Sequence, residues 1–358
     1  VEKRRVLGLM SGTSADAVDV ALLETDGEGH VVLLAAGERP YSADERAVLR
    51  SAARRALEMA APGPDPLIAE AERLLTETHA EAVRALGGWE AAELVGFHGA
   101  TVAHRPDRGW TWQIGDGAAL ARALGKPVVF DFRSADVAAG GQGAPLAPGF
   151  HRALVAGLKD RIGVLNIGGV ANLSWFAGDA FGAFDTGPGN ALLDDWIASH
   201  GAGRCDSGGA LAATGRVRAD VLSALLDNPW FDLAGPKSLD RDDFGLQPVR
   251  GLGLADGAAT LAAFTAEAVA LALRMLPAPL DLLLVTGGGR RNRTMMAMLA
   301  ERTGVVVEPV EARGFDGDSL EAQAFAWLAA RVADGRPTSW PETTGVPAPV
   351  SGGRIARP

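Results

Sequence analysis

The feature that most constrains the fold lies in the first 22 residues. Val6-Leu7-Gly8-Leu9-Met10 is a short apolar strand, and the small polar turn Ser11-Gly12-Thr13-Ser14-Ala15-Asp16 follows it. Beyond the turn, Val18, Val20 and Leu22 alternate with Asp19 and Ala21, the two-residue period of a strand. A P-loop or a Rossmann unit passes from its glycine-rich turn directly into a helix. Here the turn passes into a second strand. Thr25-Asp26-Gly27-Glu28-Gly29 is another turn and Val31 to Ala35 a third strand, so the chain opens with a three-stranded antiparallel meander.

Helices are expected at Ala43–Ala60 and Pro66–Leu86, parted by Pro62-Gly63-Pro64. Glu93–Phe97 reads as a buried strand, Asp116–Leu124 as a helix and Pro127–Phe132 as a strand. The glycine-rich run Ala138 to Pro145 is too irregular for a regular element and puts a domain junction between Arg133 and Pro148. The pattern then restarts: strands at Ile162–Ile167, Val170–Phe176 and Phe181–Phe184, with Gly168-Gly169 as the first turn. Val164 to Gly169 echoes Val6 to Ser11, which suggests two domains of one topology. The expected domains are 1–135 and 136–336, with the tail 337–358 wrapping the surface and able to pack back on the first. Within the second, a helix is expected at Asp256–Met275, a strand at Leu280–Val285, a helix from Arg290, a strand at Gly304–Glu308 and a helix at Ser319–Ala333.

Composition narrows the partners. The 358 residues are 47% hydrophobic, which marks a globular chain with room for two full cores. A net charge of −10 argues against nucleic acid or an anionic membrane as the main partner, but not against a nucleotide held at a local site. No apolar run is read as long enough for a membrane span. One cysteine, Cys205, excludes an intrachain disulfide and fits a reducing, cytoplasmic setting.

Three segments can carry chemistry. The Ser11–Asp16 turn presents amides and hydroxyls suited to phosphate oxygens, and Asp16 and Asp19 can hold Mg²⁺ directly or through water. The same residues also suit a plain hairpin turn. Thr286-Gly287-Gly288-Gly289 ends a strand ahead of a helix near Asn292, where backbone can approach an anion closely. A flexible strand-to-helix turn is the alternative. Phe184-Asp185-Thr186-Gly187-Pro188-Gly189-Asn190 places an acid at a strand end, where ligands bind in open α/β sheets. Asp185 can serve there as a general base, or equally cap the next helix. His79, His104, His151 and His200 lack metal-ligand spacing, Trp110 and Trp112 read as packing, and Arg290, Arg291 and Arg293 read as a solvated helix start.

With Gly168-Gly169, these segments in this order resemble the actin, hexokinase and heat-shock chaperone superfamily. A closer resemblance is to the 1,6-anhydro-N-acetylmuramic acid kinases. It is carried by Gly8–Ser14 with Asp16 and Asp19; His98-Gly99; Val128–Arg133 with Gly140–Leu146; Asn166–Gly169 with Asn172; Phe184–Asn190; Gly287–Gly289 with Asn292; and Glu321–Ala326. Ala17 stands where that family usually has glycine, and Ala100 where it usually has glutamine.

The resemblance implies an α/β protein of two actin/hexokinase-like domains of related topology with a cleft between them. It implies ATP contacts at Gly12, Thr13, Ser14, Ala15, Asp16, Ala17, Val18, Asp19, Gly168, Gly169, Gly287, Gly288, Gly289 and Asn292. Substrate contacts would fall on His98, Arg133, Gln142, Asp185 and Glu321, with Arg133 on the lactyl carboxylate. Asp185 would activate the water that opens the 1,6-anhydro bridge, and the freed O6 would take the γ-phosphate of ATP, giving N-acetylmuramic acid 6-phosphate in cell-wall amino-sugar recycling. A homodimer is implied as well. Another sugar or small-acid kinase, or a non-catalytic ATP-binding regulator, are the alternatives.

Overall fold

The computed structural model describes residues 2–12, 15–158, 161–239 and 241–358. The chain opens with the strands β1 (Arg4–Ser11), β2 (Ala17–Thr25) and β3 (Val31–Pro40) and the helices α1 (Ala43–Glu58) and α2 (Pro66–Ala85). There follow β4 (Leu94–Phe97), β5 (Ala100–Arg105), β6 (Trp110–Ile114), α3 (Gly117–Leu124), β7 (Val128–Phe130), α4 (Ser134–Ala138) and α5 (Pro148–Val155). A second series is β8 (Ile162–Ile167), β9 (Val170–Ala177), β10 (Ala180–Pro188), α6 (Ala191–Ser199), α7 (Ala219–Leu226), α8 (Leu254–Arg274), β11 (Leu282–Thr286), α9 (Arg293–Thr303) and β12 (Val306–Pro309). The chain closes with α10 (Leu320–Ala333), α11 (Pro341–Thr344) and β13 (Arg354–Ala356).

Contacts divide the chain into two compact units, residues 1–157 with 318–358, and residues 158–317. The sequence puts the boundaries at 135/136 and 336/337. They fall elsewhere because α5 and α10 pack together on the first sheet: Phe150 of α5 lies against Trp327 of α10, ring centroids 6.4 Å apart. The tail returns to the first unit, where β13 pairs antiparallel with β7.

The two sheets share one topology. In the first, the order is β13-β7-β4-β1-β2-β3, with β1 antiparallel to β2 but parallel to β4, and β4 parallel to β7. In the second, the order is β10-β9-β8-β11-β12, with β8 antiparallel to β9 and parallel to β11, and β11 parallel to β12. Each is a meander continued by two parallel strands, so the short echo between Val6–Ser11 and Val164–Gly169 marks equivalent first strands.

Local signals set the helix starts. Ser42 and Glu45 form a capping box at α1: the Glu45 N–H donates to Ser42 Oγ at 3.2 Å and the Ser42 N–H to Glu45 Oε2 at 2.7 Å. Asp65 caps α2 ahead of Pro66, and Asp116 caps α3, accepting from the N–H groups of Ala118 and Ala119. Two assignments differ from the sequence reading. Helix α9 starts at Arg293 rather than Arg290, because Gly288–Arg291 forms a tighter 3₁₀ turn. Strand β10 runs on to Pro188, past Phe184, because residues 170–172 of β9 continue to pair with it. Among the described residues one helix, α8, is long and apolar enough to cross a membrane, a length the sequence reading did not credit. It is the core helix of the second unit, with Ala258, Ala262, Ala263, Phe264, Ala266 and Val269 fully buried.

The first unit is held together at a glycine saddle. Gly8 of β1 and Gly96 of β4 are register partners. A Cβ on Gly8 would sit 1.8 Å from the Ala322 carbonyl oxygen, and one on Gly96 would sit 2.2 Å from that of Phe325. Helix α10, rich in alanine along the same stretch, therefore lies with its backbone almost on the strands. Gly96→Ala, which needs no unusual backbone angle, should lower stability by about 3 kcal/mol or more, at the upper end for overpacking. Urea denaturation against the parent chain checks this, and an unchanged midpoint would contradict the saddle.

Candidate active site

In the second unit, three of the glycine-bearing segments meet. The β8–β9 turn is Gly168-Gly169. The chain leading into α6 docks on it: the N–H groups of Gly189 and Ala191 donate to Gly169 O at 2.9 and 3.2 Å, and that of Asn190 to Gly168 O at 2.7 Å. The Asn190 amide donates to Ile167 O at 3.0 Å. Beside it runs the loop after β11. Gly287 has φ +73°, and a Cβ there would lie 2.3 Å from Asn166 Oδ1; one on Gly289 would lie 2.5 Å from the Ile167 side chain. Those two glycines are required by conformation and packing. Gly288 is not: it is exposed, has no positive φ, and a Cβ would meet only Asn190 Nδ2 at 3.5 Å. Gly168 and Gly169 are equally open, with nothing closer than 3.6 and 3.7 Å. Three glycines with no internal reason to be glycine thus share one surface, which a closely approaching ligand explains.

Arg290 braces this surface rather than standing in solvent. Its side chain is 6% exposed, donating from Nη1 to Gly287 O at 2.9 Å and from Nε to Glu311 Oε1 at 2.7 Å. Asn292 is buried and caps α9, its Oδ1 accepting from the Met295 N–H at 2.9 Å. Its carboxamide also packs against Gly209, a glycine that sequence reasoning passed over. The signal was there in Asp206-Ser207-Gly208-Gly209, a further acid-plus-glycine turn. The Asp206 carboxylate accepts the N–H groups of Leu211 and Ala212, and Thr294 Oγ1 donates to Gly209 O at 2.7 Å.

Asp185 lies inside β10, not beyond its end. The register with β9 shifts between Asp185 and Gly187, a bulge that re-aims the side chain. The carboxylate is half-buried, and its Oδ2 accepts the Leu239 N–H at 2.8 Å. Its own N–H donates to Lys237 O at 2.9 Å. The Lys237 ammonium, held by Trp230 O and Phe231 O at 3.1 and 3.3 Å, is pushed below the usual lysine range by burial, with Asp232 and Asp185 working the other way. Asp185 is therefore an oriented carboxylate with a neighbouring cation.

In the first unit, the β1–β2 turn closes with Ala15 N–H donating to Gly12 O at 3.0 Å, and the Tyr41 hydroxyl donating to Ser11 Oγ at 3.1 Å. Thr13 and Ser14 lie outside the described residues. Ala15 takes φ +53°. Ala17, by contrast, pairs with Pro40 as ordinary strand, so glycine is not needed there. Val18 is buried in the core, which leaves only its backbone for a ligand. Asp16 is exposed at the turn and Asp19 half-buried opposite Met10. Among the described residues no three His, Cys, Asp or Glu side chains gather as a metal cage. One or two carboxylates beside phosphate are what Mg²⁺ commonly uses, and Asp16 and Asp19 fit that set.

Arg133, His98 and Gln142 form a second cluster in this unit. Arg133 is the half-buried centre. Its Nε donates to His98 Nε2 at 3.1 Å and its Nη1 to Gly143 O at 2.7 Å. His98 Nε2 is thus an acceptor, so the ring carries its proton on Nδ1 and donates it to Gly99 O at 2.9 Å. Burial lowers Arg133 to about 10, while the charges of Glu321 and Asp136 hold it up. Glu321, exposed on the first turn of α10, faces this cation electrostatically. The Gln142 N–H donates to Thr344 O at 2.7 Å. A pocket of about 250 Å³ opens beside His98, walled by Trp112, Gln113, Asp131, Ser134 and Arg354 among others. Trp110 and Trp112 both pack against the core, and Trp112 also faces this pocket.

Residues 4–357 match the family model described as anhydro-N-acetylmuramic acid kinase. The chain belongs to the anhydro-N-acetylmuramic acid kinase family. A relative of that name from Rhizorhabdus wittichii is 57% identical, over 99% of this chain and 100% of its own length. Another, from Paramagnetospirillum magneticum, is 53% identical over 97% of this chain and 98% of its own. Among solved structures, xylulose kinase from Rhodospirillum rubrum aligns at 14% identity and a TM-score of 0.45, covering 99% of this chain and 94% of that one. The α/β architecture of this chain repeats one sheet topology, a meander continued by two parallel strands, in each of the two units.

Two outcomes follow from this geometry. Gly288→Val should leave the melting temperature close to that of the parent yet weaken ATP binding, whereas Gly287→Ala should destabilise the fold through its positive φ and the contact with Asn166. Calorimetric titration with ATP and thermal melts separate the two, and unchanged ATP affinity in Gly288→Val would count against a nucleotide at this surface. The second outcome concerns pH. Burial lowers His79 and His151 to about 4, and burial with the Arg133 charge drives His98 well below its ordinary value. These rings are neutral when folded and bind protons when unfolded, so stability is full above about pH 6.5 and is lost as pH falls toward 4. Each contributes a slope of up to about 1.4 kcal/mol per pH unit in that window. Urea midpoints measured from pH 7.5 to 4.5 should fall steeply, and a flat profile would exclude neutral buried histidines.

Proposed function

We propose that this chain is an ATP-dependent kinase that opens the 1,6-anhydro ring of anhydro-N-acetylmuramic acid with water and phosphorylates O6, giving N-acetylmuramic acid 6-phosphate. Family membership over residues 4–357 carries the reading. In it, Asp185 is the base. Its carboxylate, held by the Leu239 N–H, takes a proton from water as the water oxygen bonds to the anomeric carbon. The bridging C1–O bond breaks, and its oxygen, now O6, bonds to the γ-phosphorus as the bond to ADP breaks. No proton need reach the leaving oxygen, because phosphorus captures it. That is why one carboxylate suffices where ordinary glycoside hydrolysis uses two.

The open glycines at 168, 169 and 288 let backbone lie against the nucleotide, and the Gly12–Asp19 turn supplies amides to its phosphates. Mg²⁺, held by Asp16 and Asp19, would offset charge on those phosphates. Arg133, kept cationic by Glu321 and Asp136, is suited to the lactyl carboxylate of the sugar, with His98 and Gln142 around it. We also propose a cytoplasmic homodimer. The exposed thiol of Cys205 suits a reducing compartment, and the outward Val32 and Leu34 on edge strand β3 suit self-association.

Asp185→Asn keeps shape and the Leu239 hydrogen bond but removes the base. The variant should bind ATP normally and lose on the order of a hundred- to ten-thousand-fold in kcat. In heavy-oxygen water, the parent enzyme should place label at position 1 of the sugar and none in the phosphate, read by mass spectrometry after an early quench. Parent-like turnover by Asp185→Asn would remove the residue from the role of base. Unlabelled sugar made by the parent enzyme would instead indicate an ordinary kinase acting on a preformed hydroxyl.

A further inference from the structure

The loop that carries Gln142 and the Arg133-binding carbonyl of Gly143 is held by a side chain that no functional reading has yet used. Asp136, on α4, is 1% exposed. Its Oδ1 accepts the Gly143 N–H and its Oδ2 accepts the Thr344 hydroxyl, both at 2.6 Å. The Asp136 carbonyl also takes the Gly141 N–H at 2.9 Å. A Cβ on Gly141 would lie 2.3 Å from Asp136 Oδ1, so the loop can close on the carboxylate only with glycine there. Thr344, fully buried at the end of α11, completes the clamp, accepting the Gln142 N–H on its own carbonyl at 2.7 Å. Loop 140–143 is therefore fastened on one side by a buried carboxylate and on the other by the C-terminal segment.

We propose that Asp136 and Thr344 are positioning residues for the sugar side of the reaction, acting through Arg133. The carboxylate works twice. It fixes the Gly143 peptide, whose N–H it accepts and whose following carbonyl accepts Arg133 Nη1 at 2.7 Å. It also supports the charge of an arginine that burial disfavours. Charged and titratable groups facing Arg133 are Glu321 from α10, Asp136 from α4, His98 from the end of β4 and His104 from β5. With Asp136 neutralised or Thr344 deprived of its hydroxyl, the guanidinium keeps His98 and loses its fixed second anchor. A carboxylate on the substrate then meets a mobile cation instead of an oriented one. ATP contacts, which use other loops, are unaffected.

The inference rests on the proposed sugar kinase activity, and the test keeps the two apart. Asp136→Asn and Thr344→Val are compared with the parent chain and with Thr344→Ser, which keeps the hydroxyl. The expected result is a rise of about tenfold or more in KM for the anhydro-sugar in both variants, an unchanged KM for ATP, and recovery in Thr344→Ser. Nitrogen-15 NMR of the arginine side chains gives a readout that needs no substrate. The Arg133 Nη1–H signals should exchange slowly with water in the parent and in Thr344→Ser, and fast in Thr344→Val. If Asp136→Asn does not fold, Thr344→Val carries the test alone. Sugar and ATP KM values that rise together, or a slow Arg133 signal retained in Thr344→Val, overturn the inference. A parent chain that does not turn over the anhydro-sugar overturns the proposed activity instead, while the NMR comparison still decides whether the clamp holds Arg133.

Discussion

Backbone-to-backbone contact between α10 and the first sheet is the constraint on which the rest of that unit depends. Side chains normally keep packed layers of secondary structure about 10 Å apart. Here Gly8 and Gly96, side by side on β1 and β4, remove them, and the carbonyls of Ala322 and Phe325 settle into the space. The same helix carries Glu321 in its first turn, and the charge of Glu321 supports Arg133. It continues to Trp327 and Arg331, which donate to the carbonyls of Glu28 and Gly27 at the β2–β3 turn at 2.9 and 2.8 Å. A small shift of α10 would therefore be felt both at the charged cluster and at the far end of the meander.

The second unit reaches a comparable closeness by other means. Gly189 would carry a Cβ 2.3 Å from Gly168 O, and Gly287 one 2.3 Å from Asn166 Oδ1, so two loops are pressed onto the β8–β9 turn. What remains open, at Gly168 and Gly169 on that turn and at Gly288 on the loop after β11, is open by exclusion: Gly187, Gly189, Gly287 and Gly289 are used for packing. The contrast separates glycines that shape the protein from glycines that leave room for something else.

Much of the frame was legible in the sequence because strand period and turn chemistry are local signals. The alternation of Val18, Val20 and Leu22 was enough to identify a meander and set aside a P-loop. The restart at Ile162 pointed to a second unit of the same topology, and the sheet orders agree with it. What depended on distant partners was not legible. The full length of β10 comes from pairing with β9, and the placement of α5 and α10 from an edge-on contact between Phe150 and Trp327. Arg290 looked like a solvated charge because nothing adjacent in sequence announces Glu311. The Ser11–Asp16 turn, Asp185 and Gly287–Gly289 stand out by turn and strand-end chemistry, and His98, Arg133, Gln142 and Glu321 by motif resemblance. The structure adds a physical reason for some of the surrounding glycines and shows Val18 turned into the core.

The first unit is interrupted: residues 158–317 form a compact body of their own between its two parts. During synthesis the ribosome delivers the glycine saddle long before the helix that covers it. Until α10 emerges, the face of β1 and β4 around Gly8 and Gly96 has no lid, and Val6, Leu94 and Val129, which belong to that helix's apolar cluster, are without their partners. The inserted unit has its meander, core helix and parallel strands in one continuous stretch and can complete itself first. Assembly of the first sheet is thereby tied to the arrival of Asp318–Pro358.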